Sequence, residues 1–389
     1  MKSSTGFKAT VRREINRMTS RKMYLFGIFI APIAIALFFM ALLDRGLPLQ
    51  TPVAVVDLDH SQMSRTVSRS IAAEEVVKLV EYDESFTAAM DRVRSGEIYG
   101  FFVIPENFEA DALGGRTPTL EFYSNMTYFV PGTFVFKGFK TVTVATSAGV
   151  IKTTLVDLGV DPQQIAPLLQ PVSIDVHMIG NPWMNYNYYL SPSFIFGALA
   201  LMIMLMTVYA ITIEIKQGTS PEWIATAGGR MSTALIGKLL PYTVLYIIVA
   251  FGILAAMFGF RHFPLNGSLG LILFAAVLFV LASQAFAVFV TTVVPNPRLA
   301  FSIVALIGIL TFSFAGFSFP VEKMYGAIAI FSYIVPVRYF FLIYINETLF
   351  NAGAWYSRWY LVALVAFIPV ATLLVGRLKK ACLHPVYVP

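Results

Sequence analysis

The amino-acid sequence predicts a polytopic α-helical membrane protein with six transmembrane helices, a re-entrant hairpin before the last of them, and an α/β domain inserted between the first and second helices. Three observations lead to this fold class. Of the 389 residues, 57% are hydrophobic and 13% are charged, far from the average of soluble domains. Apolar stretches approach the roughly 20 residues that a helix needs to cross a bilayer. Strand-like and helix-like patterns alternate in the polar segment after the first stretch.

The first predicted span occupies residues 23–43, and the other five lie within residues 190–376. The six stretches are Met23 to Leu43, Leu190 to Ile213, Leu239 to Phe260, Phe263 to Pro297, Leu299 to Val321 and Trp359 to Gly376. The basic start of the first stretch is also typical of a signal peptide. However, Asp44 and Arg45 stand where small residues would precede a cleavage site, so we expect this helix to be retained.

The charge distribution predicts the orientation of the spans. Seven basic residues and one acidic residue precede the first span, whereas residues 44–190 carry 17 acidic and 10 basic residues. Basic loops stay on the cytoplasmic side of a membrane, so the N-terminus is predicted to be cytoplasmic and the domain at residues 44–189 extracytoplasmic. Six crossings return the tail at residues 377–389, with Arg377, Lys379 and Lys380, to the cytoplasm.

A further apolar stretch, Met324 to Val337, is too short to span and is broken by Pro336. Extending it to Ile345 would place Arg338 in the middle of the membrane, at a cost of about 2.5–3.5 kcal/mol. It would also move the basic tail to the outside. We therefore expect a re-entrant hairpin at residues 322–346.

Residues 1–22 contain a predicted amphipathic helix that lies along the inner leaflet. The apolar side chains of Phe7, Val11, Ile15 and Met18 follow helical spacing. The basic side chains project elsewhere and include Arg12, Arg13 and Arg17. Two roles remain open for this helix: a topology signal and lipid anchor, or part of a docking surface for a cytoplasmic partner.

The extracytoplasmic segment is predicted to be an α/β domain built from βαβ units. The predicted elements are strands at Val53 to Asp57, Val76 to Val80, Ile98 to Ile104 and Thr119 to Tyr123, and helices at Ser64 to Ala72 and Phe86 to Arg94. A long helix is expected to follow from about Phe129 to Leu158, ending near Gly159 and Pro162.

Candidates for catalysis or for cofactor binding are few. Asp57, Asp59 and His60 end a predicted strand, where they could bind a metal. We favour instead a strand-to-helix turn in which Asp59 or Ser61 caps the next helix, because acidic turn residues at helix starts are ordinary. His177 has no partner for a zinc site, and Leu239 replaces the Ser or Thr of a phosphate loop after Lys238. We therefore expect no metal or cofactor on this chain.

The segment between the second and third spans has a distinctive sequence. Its marked residues are Glu214, Lys216, Gly218, Thr219, Glu222, Trp223, Thr226, Gly237 and Lys238. In these positions the chain resembles the ABC-2 family of ATP-binding-cassette exporter permeases, with a Gly-Thr pair, flanking acids and a following Gly-Lys. The resemblance extends to Val56 to Ser61 and to the segment before the last span, with Pro320, Glu322, Pro336 and Arg338.

The resemblance implies a permease subunit driven by a separate cytoplasmic ABC ATPase, on which ATP and Mg²⁺ would bind. It also implies that residues 214–230 form a coupling loop with a short helix. We expect Thr219 or Ser220 to cap this helix, Pro221 to lie in its first turn, Glu222 to lie near its positive end and Trp223 to anchor it. A second permease copy or a paralogue is expected to complete a dimer.

The predicted middles of spans one, two, four and five contain no charge, which argues against ion-coupled transport and favours a drug-like or lipid-like substrate. Small residues such as Gly197 and Gly308 could allow close helix contact, but they are common in membrane helices generally and do not by themselves identify a dimer face. A bacterial cytoplasmic membrane and lipid contacts are expected, but no nucleic acid. Two roles remain open for the external domain: gating release of the substrate, or docking a periplasmic adaptor if the cell has an outer membrane. The alternatives are a receptor or assembly factor whose external domain binds a partner and, third, a polytopic enzyme that acts on lipids.

Overall fold

The computed structural model describes residues 5–44, 46, 50–83, 85–127, 129–157, 159–161, 179–317 and 319–384. It is mostly helical and divides into two compact units, Leu47–His177 and the remainder of the chain. Several sequence predictions lie outside the described residues: the start of the N-terminal segment at 1–4, the end of the long helix at Leu158 and Pro162, His177, and residues 385–389 of the tail.

The larger unit consists of helices. An N-terminal helix, α1 (Phe7–Thr19), precedes the first long apolar helix, α2 (Lys22–Leu42). The later helices of this unit are α7 (Asn187–Lys216), α8 (Ser220–Thr226), α9 (Met231–Phe260), α10 (Leu269–Val293), α11 (Pro297–Phe314), α12 (Gly326–Tyr333), α13 (Pro336–Phe350), α14 (Ala354–Thr372) and α15 (Val375–Leu383). Every predicted span thus corresponds to a helix.

Among the described residues, seven helices are long and apolar enough to cross a membrane. Six of them are α2, α7, α9, α10, α11 and α14. The seventh, Val130–Val156, belongs to the helix that the sequence analysis assigned to the extracytoplasmic domain. Length and apolar character alone therefore give one more candidate span than the six predicted.

The small residues Gly197 and Gly308 lie where two helices of this chain pack together. A Cβ atom built on Gly308 of α11 would lie 2.5 Å from Leu201 Cδ1 of α7. One built on Gly197 of α7 would lie 2.7 Å from Phe312 Cε1 of α11. Gly197 and Gly308 therefore allow α7 and α11 to pack closely within the protomer.

The predicted hairpin region forms two helices that meet at a sharp bend. Helices α12 and α13 are separated by a short break and differ in direction by 83°. Pro336 begins α13, where the missing N–H of proline costs no hydrogen bond. This arrangement suits a re-entrant loop or a broken span, and it begins close to the predicted boundary at residue 322.

The smaller unit contains a four-stranded mixed sheet. Its strands are β1 (Thr51–Asp57), β2 (Val77–Asp83), β3 (Gly100–Ile104) and β4 (Glu121–Ser124), in the spatial order β2-β1-β3-β4. The pairs β1–β2 and β1–β3 are parallel, whereas β3–β4 is antiparallel. Helices α3 (Gln62–Ala72) and α4 (Phe86–Ser95) form the two crossovers that parallel strands require. The predicted strands and helices are thus present.

Two helices complete this unit. A short helix that the sequence analysis missed, α5 (Phe108–Leu113), follows β3. The long helix α6 (Phe129–Asp157) packs its first half on the sheet: Val135, Phe139 and Val142 are buried together with Val53 and Phe102. Apolar side chains of its second half, such as Val144 and Ile151, are exposed, so burial against the sheet accounts only for the apolar residues of the first half.

Candidate functional site

The short helix α8 forms where the coupling helix was predicted. Gly218 has φ +68°, a left-handed conformation that glycine adopts without strain and that turns the chain after α7. Pro221 lies in the first turn of α8 and Glu222 follows it. Thr219 occupies the N-cap position, but its hydroxyl donates to the carboxylate of Glu214 rather than capping the helix. Thr219 thus stands at a predicted cap position, but its side chain makes no capping hydrogen bond to the backbone of α8.

Trp223 points into the protein rather than toward the surface. Its indole Nε1 donates to the main-chain oxygen of Ala234 at 3.2 Å, and the side chain is fully buried. The Lys238 ammonium lies 5.0 Å from the centre of the ring, a cation–π distance. Trp223 therefore anchors α8 to α9, while Glu222 and Lys216 remain exposed.

Several charged side chains lie close to the start of α8, where Glu214 contacts Thr219. We call the following residues the charge cluster: Arg13, Glu14, Arg17, Glu214 and Lys238. Glu214 is fully buried near the end of α7. Its carboxylate accepts two hydrogen bonds from Arg13, at 2.6 and 3.0 Å, and one from Lys238 Nζ at 2.8 Å. Arg17 also forms an ion pair with Glu214. Three cations from two helices therefore converge on one carboxylate.

Glu14 provides the second carboxylate of the charge cluster. One of its oxygens accepts a hydrogen bond from the Lys238 ammonium, and the other accepts one from the Tyr242 hydroxyl at 2.7 Å. Glu14, Lys238 and Tyr242 are all buried. Burying a charge is costly unless it is paired and hydrogen-bonded, and here each charged group has partners. Removal of one member would leave another without compensation.

The orientation of α1 follows from these contacts. Its buried residues are Thr10 and Glu14, whereas the apolar Phe7 and Ile15 are 43% and 45% exposed. Thr10 and Glu14 thus pack on the protein, while Phe7 and Ile15 face outward. Met18, from the predicted apolar face, packs on the hydrophobic core of the larger unit, so that face is only partly exposed. Gly237 permits the close approach, because a Cβ atom there would lie 3.0 Å from Thr10 Cβ. Arg12, in contrast, is exposed.

The contact between Arg13 and Glu214 favours the protonated form of Arg13. Burial lowers the pKa of the Arg13 guanidinium, but the hydrogen bond and negative charge of Glu214 outweigh this effect. The net pKa is raised, and the same holds for Arg17. Both arginines thus stay charged while they bind Glu214.

Helix α1 also contacts the far end of α8. The N–H of Gly6 donates to the main-chain oxygen of Thr226 at 2.7 Å. At the other end of α8, Thr219 donates to Glu214, which is paired with Arg13 of α1. The two ends of α8 are therefore both connected to α1, and a displacement of α8 must either move α1 or break these bonds.

The C-terminal helix α15 braces the other side of α8. Leu378 and Cys382 are buried in one cluster with Trp223 and Ile224. The Ser220 hydroxyl donates to the main-chain oxygen of Cys382 at 2.7 Å. Lys379 Nζ reaches the main-chain oxygen of Gly229, just after α8, at 2.8 Å. The basic tail residues thus include a structural contact that charge counting did not predict.

The predicted hairpin residues lie elsewhere in the same unit. Arg338 on α13 is buried and donates to the main-chain oxygen of Ala315, after α11, at 3.1 Å. Its guanidinium lies 3.8 Å from the exposed Glu322 carboxylate. Pro320 is exposed and Pro336 begins α13. Arg338 therefore connects the end of α11 to the hairpin.

The structure thus brings together Arg13, Arg17, Glu214, Thr219, Trp223 and Lys238 of the predicted site residues. It leaves Arg12, Lys216 and Glu222 on the surface and the hairpin residues apart. Sequence reasoning missed Glu14 and Tyr242. A signal for Glu14 was available: it is the one acidic residue of a basic helix, four residues after Thr10 on the same face.

The aspartates of the smaller unit have structural partners. Asp57 accepts hydrogen bonds from the N–H of His60 at 3.0 Å and from the Ser64 hydroxyl at 2.7 Å. Asp59 accepts from the N–H of Glu109 at 3.1 Å. Ser61 accepts from the N–H of Ser64 and caps α3, as one of the two cap predictions stated. Among the described residues, no group of three His, Cys, Asp or Glu side chains could hold a metal ion.

The sequence also matches known proteins. Residues 22–377 match a family model described as ABC-2 family transporter protein. Among curated proteins, the chain is 25% identical over 192 residues to the probable multidrug ABC transporter permease YbhR of Escherichia coli strain K12. The protein of the same name from Escherichia coli O157:H7 has the same identity over the same length. The alignment covers 48% of this chain and 51% of each relative, so the chain spans about half the length of the curated relatives it matches.

Proposed function

This chain belongs to the ABC-2 family of transporter proteins, and from that premise we propose that it is the permease subunit of an exporter driven by an ATPase on a separate chain. The family and the multidrug permease relative support a transport subunit rather than a catalytic enzyme. The single observation that carries the proposed mechanism is the charge cluster, in which Glu214 accepts hydrogen bonds from Thr219, at the start of α8, and from Arg13 on α1.

We propose that α8 receives the motion of the ATPase. The exposed Glu222 on its first turn is available to a partner, whereas Trp223 and Ile224 fix the opposite face to α9 and α15. Because the end of α8 is bonded directly to Gly6 and its start is linked to α1 through Glu214, a push on Glu222 reaches α1, and through α1 the first span. Gly218 permits the tight turn at which α8 pivots relative to α7.

The proposed orientation places α1, α8 and α15 in the cytoplasm and residues 47–177 outside a bacterial cytoplasmic membrane. Positive charge on α1 and on the tail supports this orientation. The burial of α6 against the sheet supports counting it with the α/β domain, which leaves six spans. We propose that this domain controls release of the substrate or docks a periplasmic adaptor.

The proposed substrate is a hydrophobic or amphipathic molecule, either drug-like or lipid-like. The apolar character of the spans supports this class, as does the name of the Escherichia coli relative. A second permease, either a copy of this chain or a paralogue, is expected to complete the transport path. ATP and Mg²⁺ would bind only to the partner ATPase.

The test is a double substitution, Gly218→Ala with Glu222→Gln, in cells that express the chain with its ATPase. We expect export of a hydrophobic dye to fall while membrane insertion stays unchanged, because the pivot and the exposed contact are altered but the spans are not. Gly115→Ala is the matched control, since Gly115 also has positive φ and open space around it but lies in the smaller unit. Wild-type export by the double variant would refute the role of α8.

A further inference from the structure

The larger unit contains an aromatic groove of about 320 Å³ at the bend of the hairpin. Its walls include Phe286 and Phe289 from α10, Tyr333 from α12, Tyr339 from α13 and Phe367 from α14. We propose that this groove is a binding site for an uncharged aromatic molecule that enters from the membrane. The proposal rests on the proposed transport function and narrows its substrate class.

Three rings of the groove, those of Phe286, Tyr339 and Phe367, pack on one another in the absence of a ligand. The ring of Phe367 lies 6.4 Å from that of Phe286, with an interplanar angle of 72°, and 6.2 Å from that of Tyr339, at 62°. The Tyr339 hydroxyl donates to the main-chain oxygen of Tyr333 at 2.7 Å. Such edge-to-face contacts fix ring positions. The hydrogen bond ties α13 to the end of α12, so the groove is largely preformed.

The composition of the walls selects the chemistry of the ligand. None of the described residues that line the groove is charged, so an ionic group would lose its hydration there without gaining a partner. A volume of about 320 Å³ lies within the range of small-molecule pockets. Aromatic walls offer ring faces and edges on which another aromatic ring can stack. An uncharged aromatic body therefore fits this site.

The ordinary lipid-facing surface of the same helix looks different. In the middle of α14, the exposed positions Val362, Val365 and Ile368 are aliphatic, whereas the exposed aromatic residues of this helix, Trp355, Tyr356 and Trp359, lie near its start. Aliphatic side chains are sufficient for contact with acyl chains. The walls of the groove, in contrast, consist largely of aromatic rings, from Phe367 on α14 and from residues of α10, α12 and α13. This contrast distinguishes the groove from a surface that merely faces lipid.

The position of the groove suggests how it serves transport. Phe286 and Phe289 lie in the second half of α10, and Phe367 lies in the second half of α14. In the proposed orientation both halves lie toward the cytoplasmic leaflet. Tyr333 and Ile334 stand at the 83° bend of the hairpin. A molecule in the groove would thus enter from the inner leaflet and contact the tip of the hairpin.

The test uses the purified full-length chain in lipid nanodiscs and the uncharged aromatic photolabel 3-(trifluoromethyl)-3-(m-iodophenyl)diazirine. We expect saturable labelling of the peptides that carry Phe286 and Phe367, mapped by mass spectrometry. Ala366→Trp should fill the groove and reduce this labelling by about tenfold. Val365→Trp, on the same helix but outside the groove, is the matched control and should leave it unchanged. Phe367→Leu removes the central ring and provides a second variant if Ala366→Trp does not fold.

Two outcomes would overturn the proposal. The first is labelling that does not saturate and is unchanged in the Ala366→Trp variant, which would mean that the probe only partitions into the bilayer. Saturable labelling of the same peptides by a phosphatidylcholine with a diazirine in its acyl chain, unaffected by excess aromatic probe, would assign the groove to lipid. The labelling experiment contains no ATPase, so a negative result would refute the groove without refuting the proposed exporter function. Conversely, a loss of the export proposal would not change a positive labelling result.

Discussion

Lys238 Nζ lies 2.8 Å from Glu214 Oε1, and both side chains are fully buried. Glu214 stands on α7 and Lys238 on α9, the helices that precede and follow the short helix α8. Glu14, from the N-terminal helix, binds the same ammonium. One lysine thus joins three segments of the chain, and its charge is compensated only while all three are assembled.

Lys238→Met should destabilise the protein strongly. The substitution keeps much of the apolar stem but leaves Glu14 and Glu214 buried without their shared cation. Breaking a buried pair in this way costs about 3–5 kcal/mol. Thermal unfolding of the purified protein in detergent measures the effect. Lys216→Met, at an exposed lysine on the last turn of α7, should stay within about 0.5 kcal/mol of wild type; equal midpoints for both variants would contradict the role of the charge cluster.

Cys382 should resist alkylation in the folded protein. Burial, together with the charge of Glu214, raises the pKa of its thiol from an ordinary value of 9.0 to about 12. Since the thiolate is the reactive form, folding should slow the reaction with N-ethylmaleimide at pH 8 by on the order of 10³-fold. Mass spectrometry of native and denatured samples provides the measurement, and equal rates would show that α15 does not cover the thiol.

The raised pKa of Cys382 also makes the stability of the protein depend on pH. A raised folded-state pKa means that the folded protein holds its proton where the unfolded chain has lost it. The contribution of Cys382 is therefore fully present below pH 9 and is lost as the pH rises toward 12. Cys382→Ser should flatten this alkaline decline in the unfolding midpoint, whereas an unchanged pH profile would exclude the thiol as its source.

Gly316→Ala should be more disruptive than Gly326→Ala. Gly316 has φ +87°, and an added Cβ atom would lie 2.8 Å from the Arg338 guanidinium. The left-handed conformation alone costs about 1–2 kcal/mol with a side chain. Gly326 has open space around it and an ordinary backbone conformation, so alanine should be tolerated there. The two unfolding midpoints, measured side by side, decide the matter: if they coincide, Arg338 does not pack on this turn.

Gly308→Ile should lower stability without changing assembly. The larger side chain would push against Leu201 and separate α7 from α11, at a cost of about 1–3 kcal/mol. Gly252→Ile on α9, where a Cβ atom meets nothing, is the control. The loss in midpoint should not depend on protein concentration in dilute detergent. A loss that appears only when subunits associate would place Gly308 at a subunit interface.

Much of the fold could be predicted because apolar runs and alternating patterns are local signals. The strand Val53 to Asp57 was predicted within two residues of β1, since buried parallel strands consist of β-branched residues. The start of the third span was predicted at Leu239, whereas α9 begins at Met231. Lys238 suggested a boundary there, but its partners allow the charge to lie inside a helix.

The charge cluster could not be predicted because its members are far apart in the chain. Glu14 and Lys238 are 224 positions apart, and periodicity carries no information about such a contact. The same limit applies to Trp223. An interfacial tryptophan and a buried one look alike in sequence, and only the position of Ala234 shows that the indole points inward.

The compensation within the charge cluster has an evolutionary consequence. A lineage that replaced Glu14 with a neutral residue would leave Lys238 with excess positive charge beside Arg13, and selection would favour a second change that restored neutrality. Positions 14, 214 and 238 should consequently vary together among descendants of a common ancestor, or else not vary at all.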